Sequence, residues 1–110
     1  MQVTFENNQL KALCEDPKKA QRALGRAGAK KLRTRLADLW AVERVTDLIA
    51  GHPHPLKKDR AGQFAVDLHS GWRLVFVPAE EPIPMVANSN SVDWEQITSM
   101  RIIYVGDYHD

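Results

Sequence analysis

Cysteine is almost absent from this 110-residue sequence, since Cys14 is the only one. A single cysteine excludes an internal disulfide framework and agrees with a reducing compartment. Long apolar runs are missing too, because no segment approaches the roughly 20 apolar residues that a membrane-spanning helix needs. The first residues, MQVTFENN, lack the basic-then-apolar order of a signal peptide. We therefore expect a cytoplasmic protein that does not enter a membrane.

Internal repeats and low-complexity segments are also lacking, and the composition is ordinary. Apolar residues make up 44% of the chain and charged residues 26%. These fractions are typical of globular proteins and argue against extensive disorder. A chain of this length can bury one modest core but not two. We predict one domain over residues 1–110.

Charge is unevenly distributed along the chain, although the net charge is only +1. Residues 1–60 hold 13 Lys and Arg against 7 Asp and Glu, a net charge of +6. Residues 61–110 hold 2 against 7, a net charge of −5. The basic half could bind a phosphate backbone or an acidic partner protein, or it could be a solvated helix face.

The start of the sequence predicts a short strand followed by a helix. Val3–Phe5 has the composition of a strand, and Asn7 and Asn8 are good N-cap residues for a helix over QLKALCED. Asp16 followed by Pro17 then predicts the N-cap and first position of a second helix. The chain thus turns from sheet to helix within its first few residues.

The helical half of the chain is predicted to extend from Pro17 to Gly51, and its long helix is predicted to end at Gly51, where glycine provides a C-terminal stop. Apolar residues recur at three- and four-residue steps, which places them on one helix face that packs on the core. Gly25 and Gly28 are expected to separate this long helix from the preceding one. The apolar stripe consists of Leu32, Leu36, Leu39, Val42, Val45 and Ile49.

The second half of the sequence predicts a loop and then a hairpin. Residues 52–63 carry two prolines and several charges, which indicates an irregular connection. Residues 64–68 alternate apolar and polar side chains, Ser70-Gly71 predicts a tight turn, and residues 72–77 form the return strand. On that strand Arg73 faces away from Trp72, Leu74 and Phe76. An arginine on an otherwise apolar strand needs an explanation.

The remaining segments complete an α+β fold. Residues 78–90 are rich in Pro, Asn and Ser and predict an exposed, mobile connection. VDWEQI predicts a short helical turn, and MRIIYV predicts a last strand that is central or covered on both faces. We expect a small, mostly antiparallel sheet with two N-terminal helices packed on one face.

Two stretches resemble the HigB branch of the RelE-like toxins, which are the toxic halves of type II toxin–antitoxin pairs. In HPLKKDRAGQFAVDLHSGWRLVF, a His-Pro-Leu-Lys piece precedes Asp-Arg, a Gly and a hairpin that ends in Trp-Arg. The second stretch is the terminal DYH. With the basic helices, the likeness covers most of the chain. The insertion over residues 78–97 is longer than in compact members and resembles a "killer protein" subgroup.

The resemblance implies a small sheet with helices against it and cleavage of messenger RNA on the ribosome, without a cofactor. It also implies neutralisation by a cognate helix-turn-helix, HigA-like antitoxin in a hetero-oligomer. Carried over residue by residue, it implies the catalytic residues His54, Lys57, Arg73, Asp107, Tyr108 and His109. Lys58 and Arg60 are candidate RNA-binding residues, or members of a solvated loop.

These residue types suit RNA cleavage by the ribose 2′-hydroxyl, which needs a base, an acid and cations. Imidazole has an ordinary pKa of about 6.5, so His54 or His109 could exchange a proton. Arg73 and Lys57 could stabilise the phosphate charge, and Tyr108 could stack on a base. Asp107 could orient an imidazole or contact the ribosome.

Purely structural roles remain possible for several of these residues. Asp107 could be a turn residue, and Tyr108 could pack on the sheet. His52 and His54 lie two residues apart, but no Cys or carboxylate joins them at a recognised ligand spacing, so we predict no metal site. At the level of function, the alternatives are a ParE-like inhibitor of DNA gyrase and an inactive binding module on the same scaffold.

Overall fold

A five-stranded sheet and two helices form the structure, a computed structural model that describes residues 1–107. The strands lie in the order β1-β5-β4-β3-β2, and β1 is parallel to β5 while the other neighbours are antiparallel. Short 3₁₀ turns occur at Val45–Asp47, Lys58–Arg60 and Trp94–Gln96. The strands and helices are β1 (Gln2–Phe5), α1 (Asn8–Glu15), α2 (Pro17–Ala41), β2 (His54–Pro55), β3 (Phe64–Asp67), β4 (Trp72–Pro78) and β5 (Ser99–Asp107).

Both helices begin at the predicted caps. The Asn7 side chain accepts a hydrogen bond from the backbone N–H of Leu10 at 2.9 Å. The Asp16 side chain accepts one from Lys18 at the same distance, with proline at the start of α2. These bonds satisfy backbone donors that have no partner within a helix. The predicted break lies at Gly25, whose φ of 76° and ψ of 175° interrupt α2, whereas Gly28 is a buried residue within the helix.

The predicted end of α2 is wrong, because the helix stops at Ala41 rather than at Gly51. Beyond it, Val45 is buried in a 3₁₀ turn and donates a backbone hydrogen bond to Ile97 O at 3.1 Å. The side chain of Ile49 is 90% exposed and has no place in the core. The terminal ammonium group also binds the last carbonyls of the helix. Tertiary contacts therefore end the helix although the apolar spacing continues.

The hairpin is confirmed, and a short strand appears beside it. Ser70 and Gly71 have φ values of 53° and 81°, as a tight two-residue hairpin turn requires. β2 pairs with β3 through His54↔Ala65 and Pro55↔Phe64. The prolines of this region had predicted a loop, but proline is tolerated at the edge of a sheet.

The helices cover one face of the sheet, as predicted. The main core lies between α2 and inward-facing strand residues, and a smaller cluster of Leu56, Ala65 and Val75 lies on the other face. Within residues 1–107, no helix combines the length and apolar character needed to cross a bilayer. The main core includes Leu32, Leu36, Leu39, Phe64, Val66, Leu74, Phe76, Met100 and Ile102.

The insertion between β4 and β5 is exposed, as predicted, but its base is held by one carboxylate. Glu80 Oε1 accepts hydrogen bonds from Thr98 N at 2.7 Å, Thr98 Oγ1 at 2.9 Å and Ser99 N at 3.0 Å. Farther out, Met85 and Val92 form an isolated antiparallel bridge. The insertion thus folds back on itself from a fixed base.

Removing the Glu80 carboxylate is expected to destabilise the fold by about 1–2 kcal/mol, because three donors lose one acceptor at a partly accessible site. Glu80→Ala and the neighbouring Glu81→Ala can be compared by urea unfolding. Glu81 is exposed, so its substitution should change the free energy of unfolding by less than about 0.5 kcal/mol. Equal effects of the two substitutions would show that the carboxylate does not anchor the insertion.

Cys14 lies half-buried where α1 meets α2, and burial raises the pKa of its thiol from 9.0 to about 12, with a smaller contribution from Glu15. The thiolate is the reactive form. At pH 8 we expect iodoacetamide to modify Cys14 roughly 10²–10³-fold more slowly in the folded chain than in urea. The difference should shrink between pH 9 and pH 12, where only the folded-state thiol is still ionising. Equal rates at pH 8 would contradict this assignment.

Candidate functional site

Polar side chains gather on the sheet face that the helices leave uncovered. Directly paired residues of neighbouring strands project on the same face. Arg73 pairs with Asp67 on one side and with Gly106 on the other. The adjacent row across the sheet is His54, Ala65, Val75 and Tyr104. The fold therefore places residues from β2, β3, β4 and β5 around Arg73.

A carboxylate holds the arginine of this face. Arg73 Nε lies 3.3 Å from Asp67 Oδ1, an ion pair rather than a well-aligned hydrogen bond. The other oxygen, Asp67 Oδ2, lies 3.5 Å from Nδ1 of His52. The Arg73 side chain is 26% exposed, so this cation is positioned by the protein and still reaches solvent. Asp67 therefore lies between an arginine and an imidazole.

Two histidines extend the cluster toward the sheet edge. The rings of His52 and His54 stack with their centroids 4.5 Å apart at 26°. His54 Nδ1 lies 2.7 Å from the His52 carbonyl oxygen. Because a carbonyl only accepts hydrogen bonds, Nδ1 of His54 carries the proton, and its Nε2 is left for proton exchange.

Tyr104 completes this face, and the sequence reasoning missed it. A Cβ on Gly106 would lie 2.5 Å from the Tyr104 hydroxyl oxygen. The phenol can therefore occupy this place only because residue 106 is glycine. The guanidinium carbon of Arg60 lies 5.5 Å from the centre of the Tyr104 ring, within the range of a cation–π contact. Arg60 also donates to Gln63 Oε1 at 3.2 Å. The loop before β3 thus carries a second cation onto the same face.

The residues predicted from the sequence reach different places. Arg73, His54 and Arg60 lie on the uncovered face, whereas Lys57 and Lys58 are exposed in the loop after β2. Asp107 pairs with Trp72, which puts it in register with the helix-covered face rather than with Arg73. Tyr108 and His109 lie outside the described residues.

His52 and Asp67 were not predicted as site residues, and only part of the signal for them was in the sequence. Asp67 is the one acidic residue of β3, but its position opposite Arg73 can be recognised only when the register of the hairpin is known. Tyr104 looked like part of an apolar last strand. Among residues 1–107, no group of three or more His, Cys, Asp or Glu could hold a metal ion.

Solved structures with a similar architecture include YoeB and YoeB/ParE chains from bacteria. The YoeB/ParE toxin from Agrobacterium tumefaciens superposes with a TM-score of 0.58 at 13% identity, covering 99% of this chain and 100% of that one. YoeB from Staphylococcus aureus matches in a YoeB–YefM complex (TM-score 0.57) and as a YoeB dimer (0.56), both at 18% identity and over 100% of this chain and 98% of that one. No family model and no curated protein matches the sequence.

The chain has a RelE-like toxin fold. The likeness extends over the whole sheet and both helices, so it confirms the predicted α+β architecture. At these identities it describes the fold alone, and nothing in it singles out the HigB branch. Within this RelE-like fold, the uncovered sheet face carries Arg73, His54, Arg60 and Tyr104.

Proposed function

We propose that the chain is the toxin of a type II toxin–antitoxin pair and cleaves messenger RNA on the ribosome. The observation that carries this proposal is Arg73, held by Asp67 on an uncovered face that also presents an imidazole and a phenol. The RelE-like fold supports it as well. A positioned arginine beside groups that exchange protons suits the charge and proton movements of phosphodiester cleavage.

In the proposed reaction, the ribose 2′-oxygen attacks the adjacent phosphorus while a base removes its proton. Nε2 of His54 is the proposed base on this face, and His109 remains a second candidate from the sequence. The bond from phosphorus to the 5′-oxygen breaks, and that oxygen takes a proton from the Tyr104 phenol or from water. Arg73 stabilises the negative charge on the phosphate oxygens. The products are a 2′,3′-cyclic phosphate and a 5′-hydroxyl.

The other residues of the face and loop have supporting roles in this proposal. Tyr104, with Arg60 against its ring, offers a surface for a flanking base or a phenol for proton transfer. Lys57 and Lys58 contact phosphates of the RNA or the ribosome. Asp107 and Tyr108 stay candidates from the sequence alone. No metal ion or cofactor takes part in the proposed reaction.

The proposed partner is a cognate helix-turn-helix antitoxin of the HigA type, which binds the toxin in a hetero-oligomer. A solved complex of YoeB with YefM has a toxin chain of this fold, which supports an antitoxin partner. The proposed site of action is the cytoplasm, where the ribosome and its mRNA are found.

Expression of the chain in a host that lacks the antitoxin tests the proposal. We expect growth arrest and new transcript ends that lie within translated codons and depend on translation. Normal growth with intact transcripts would contradict a toxin. The matched control is the Arg73→Ala chain, accumulated to the same level as judged by immunoblot.

A ParE-like gyrase inhibitor is the second candidate, because one structure with this fold is described as a YoeB/ParE toxin and because Asp107 is in register with the face opposite Arg73. Such a protein would arrest growth with intact messages and with induction of the DNA-damage response. His54→Ala would leave that arrest unchanged. The same expression experiment therefore separates the two candidates.

Gly106→Ala is expected to lower cleavage by about tenfold or more, because the new methyl group displaces the Tyr104 phenol and small displacements in a site are costly. The strand itself should tolerate alanine, so the free energy of unfolding should change by less than about 1 kcal/mol. Cleavage and urea unfolding can be measured on the same preparation. Full cleavage by the Gly106→Ala chain would place Tyr104 outside the site.

A further inference from the structure

A cleft in the helical part of the molecule has no role in the proposed function. Its volume is about 250 Å³, and its lining residues run from Cys14 to Arg33. It forms where α2 bends at Gly25, so that the segments before and after the bend diverge. Ala20 and Leu32 make part of its wall and belong to the buried core.

The rim of this cleft is basic. Arg26, Lys30 and Arg33 line it, and Glu15 is the one acidic residue among the lining residues described. An apolar wall beneath three cations suits a ligand that combines an apolar side chain with carboxylates. The cleft therefore selects for an acidic segment with an apolar anchor.

The insertion between β4 and β5 has this chemistry. Ile83, Met85 and Val86 are 38–45% exposed, which is high for large apolar side chains on one short segment. Glu81 is exposed just before them. The Glu80 anchor and the Met85–Val92 bridge hold the segment in a defined conformation, so docking it would cost little ordering entropy.

The base of the insertion and the cleft lie next to different parts of the helical segment. The insertion returns to the sheet at Thr98. The carbonyl oxygen of the neighbouring Ile97 accepts a hydrogen bond from Val45 N, in the segment just after α2. The cleft is lined by residues on both sides of the bend at Gly25, as far as Arg33. Lys30 lies about 16 Å along the helix axis from the helix end at Ala41. The molecule is elongated, with extents of 45 × 27 × 25 Å. Among the described residues that line the cleft, none belongs to the insertion, so the cleft stays open to the insertion of another copy.

We infer that two copies of the chain associate head to tail, with the insertion of one docked in the basic cleft of the next. Met85 and its apolar neighbours enter the cleft, and Glu81 pairs with the cations of its rim. This contact would use the uneven charge of the two halves of the chain, because the basic half of one copy meets the acidic half of another. A contact of this kind is heterologous and builds either a ring or an open chain of copies.

Sedimentation velocity on the purified chain over a wide concentration range tests this inference. We expect the mean mass to rise above that of one chain with increasing concentration at about 0.05 M salt and to fall at about 0.5 M salt, because salt screens the rim charges. Glu81→Arg and Arg33→Glu should each weaken association at least about tenfold, since each places like charges together. Lys11→Glu, an equal change of charge on α1 outside the cleft, should have little effect.

An equimolar mixture of the Glu81→Arg and Arg33→Glu chains provides the decisive comparison. In the mixture, the insertion of either variant meets a cleft of opposite charge on the other variant, so association should return although each variant alone has lost it. Met85→Ser tests the apolar part of the contact without any change of charge and should also weaken association. A single-chain mass for the wild type at every concentration, or a mixture no more associated than its parts, would overturn the inference. Neither result bears on mRNA cleavage.

Discussion

Replacing Arg73 with alanine is expected to lower the rate of mRNA cleavage on the ribosome by about 10²–10³-fold, the usual cost of removing one group that stabilises transition-state charge. The guanidinium lies beside Asp67 on the uncovered face and is partly open to solvent. Arg73→Lys should recover only part of the rate, because an ammonium group cannot bind two phosphate oxygens side by side. The rate can be measured in single turnover with purified ribosomes on one defined message.

Arg22→Ala provides the control for this experiment. Arg22 is exposed on the helical side of the molecule, so its loss removes the same charge without touching the uncovered face. Its cleavage rate should stay within about threefold of the wild type if only a diffuse electrostatic attraction is reduced. Equal losses in the two variants would show that Arg73 contributes net charge and not a positioned catalytic group.

Leu39→Ala is expected to destabilise the fold by about 2–5 kcal/mol, whereas Ile49→Ala should change the free energy of unfolding by less than about 0.5 kcal/mol. Both residues belong to the same apolar stripe in the sequence. In the structure, Leu39 is fully buried between α2 and the sheet, and Ile49 is 90% exposed after the helix has ended. Urea unfolding of the two variants measures the difference directly.

The comparison also tests where α2 ends. If the helix continued to Gly51, both side chains would lie on its core face and both substitutions would be costly. Similar losses of several kcal/mol for Leu39→Ala and Ile49→Ala would therefore contradict the helix end at Ala41 and the position of the segment that follows it.

Features with local causes could be predicted from the sequence. The helix caps at Asn7 and Asp16 are local, because each side chain accepts a hydrogen bond from a backbone N–H no more than three residues away. The hairpin turn at Ser70 and Gly71 depends on two residues that tolerate positive φ. Because these signals require no knowledge of the rest of the fold, both helix starts and the hairpin were predicted correctly.

Features decided by distant contacts could not be predicted in this way. The end of α2 depends on Met1 and Ile97, which are far from Ala41 along the chain. β2 exists because His54 and Pro55 meet the edge of β3. Apolar spacing and proline content describe a segment by itself, so they cannot report which strand or terminus will pack beside it.

The same distinction applies to the candidate site. Arg73 could be identified because a lone cation on an apolar strand conflicts with its neighbours. Asp67 and Tyr104 each fit their own strand, and they become notable only when the register places them beside Arg73 and Gly106. The contact of Arg60 with the Tyr104 ring joins a loop to the last strand, and no spacing in the sequence encodes such a contact.

The most direct test of the proposed function is a message with a single 2′-deoxynucleotide at the position of the cut, presented on purified ribosomes together with the toxin. Attack by the ribose 2′-oxygen predicts that the deoxy message stays intact, while the all-ribose message yields a 2′,3′-cyclic phosphate and a 5′-hydroxyl. Cleavage of both messages, or products ending in a 3′-hydroxyl and a 5′-phosphate, would contradict the proposed reaction on the Arg73 face.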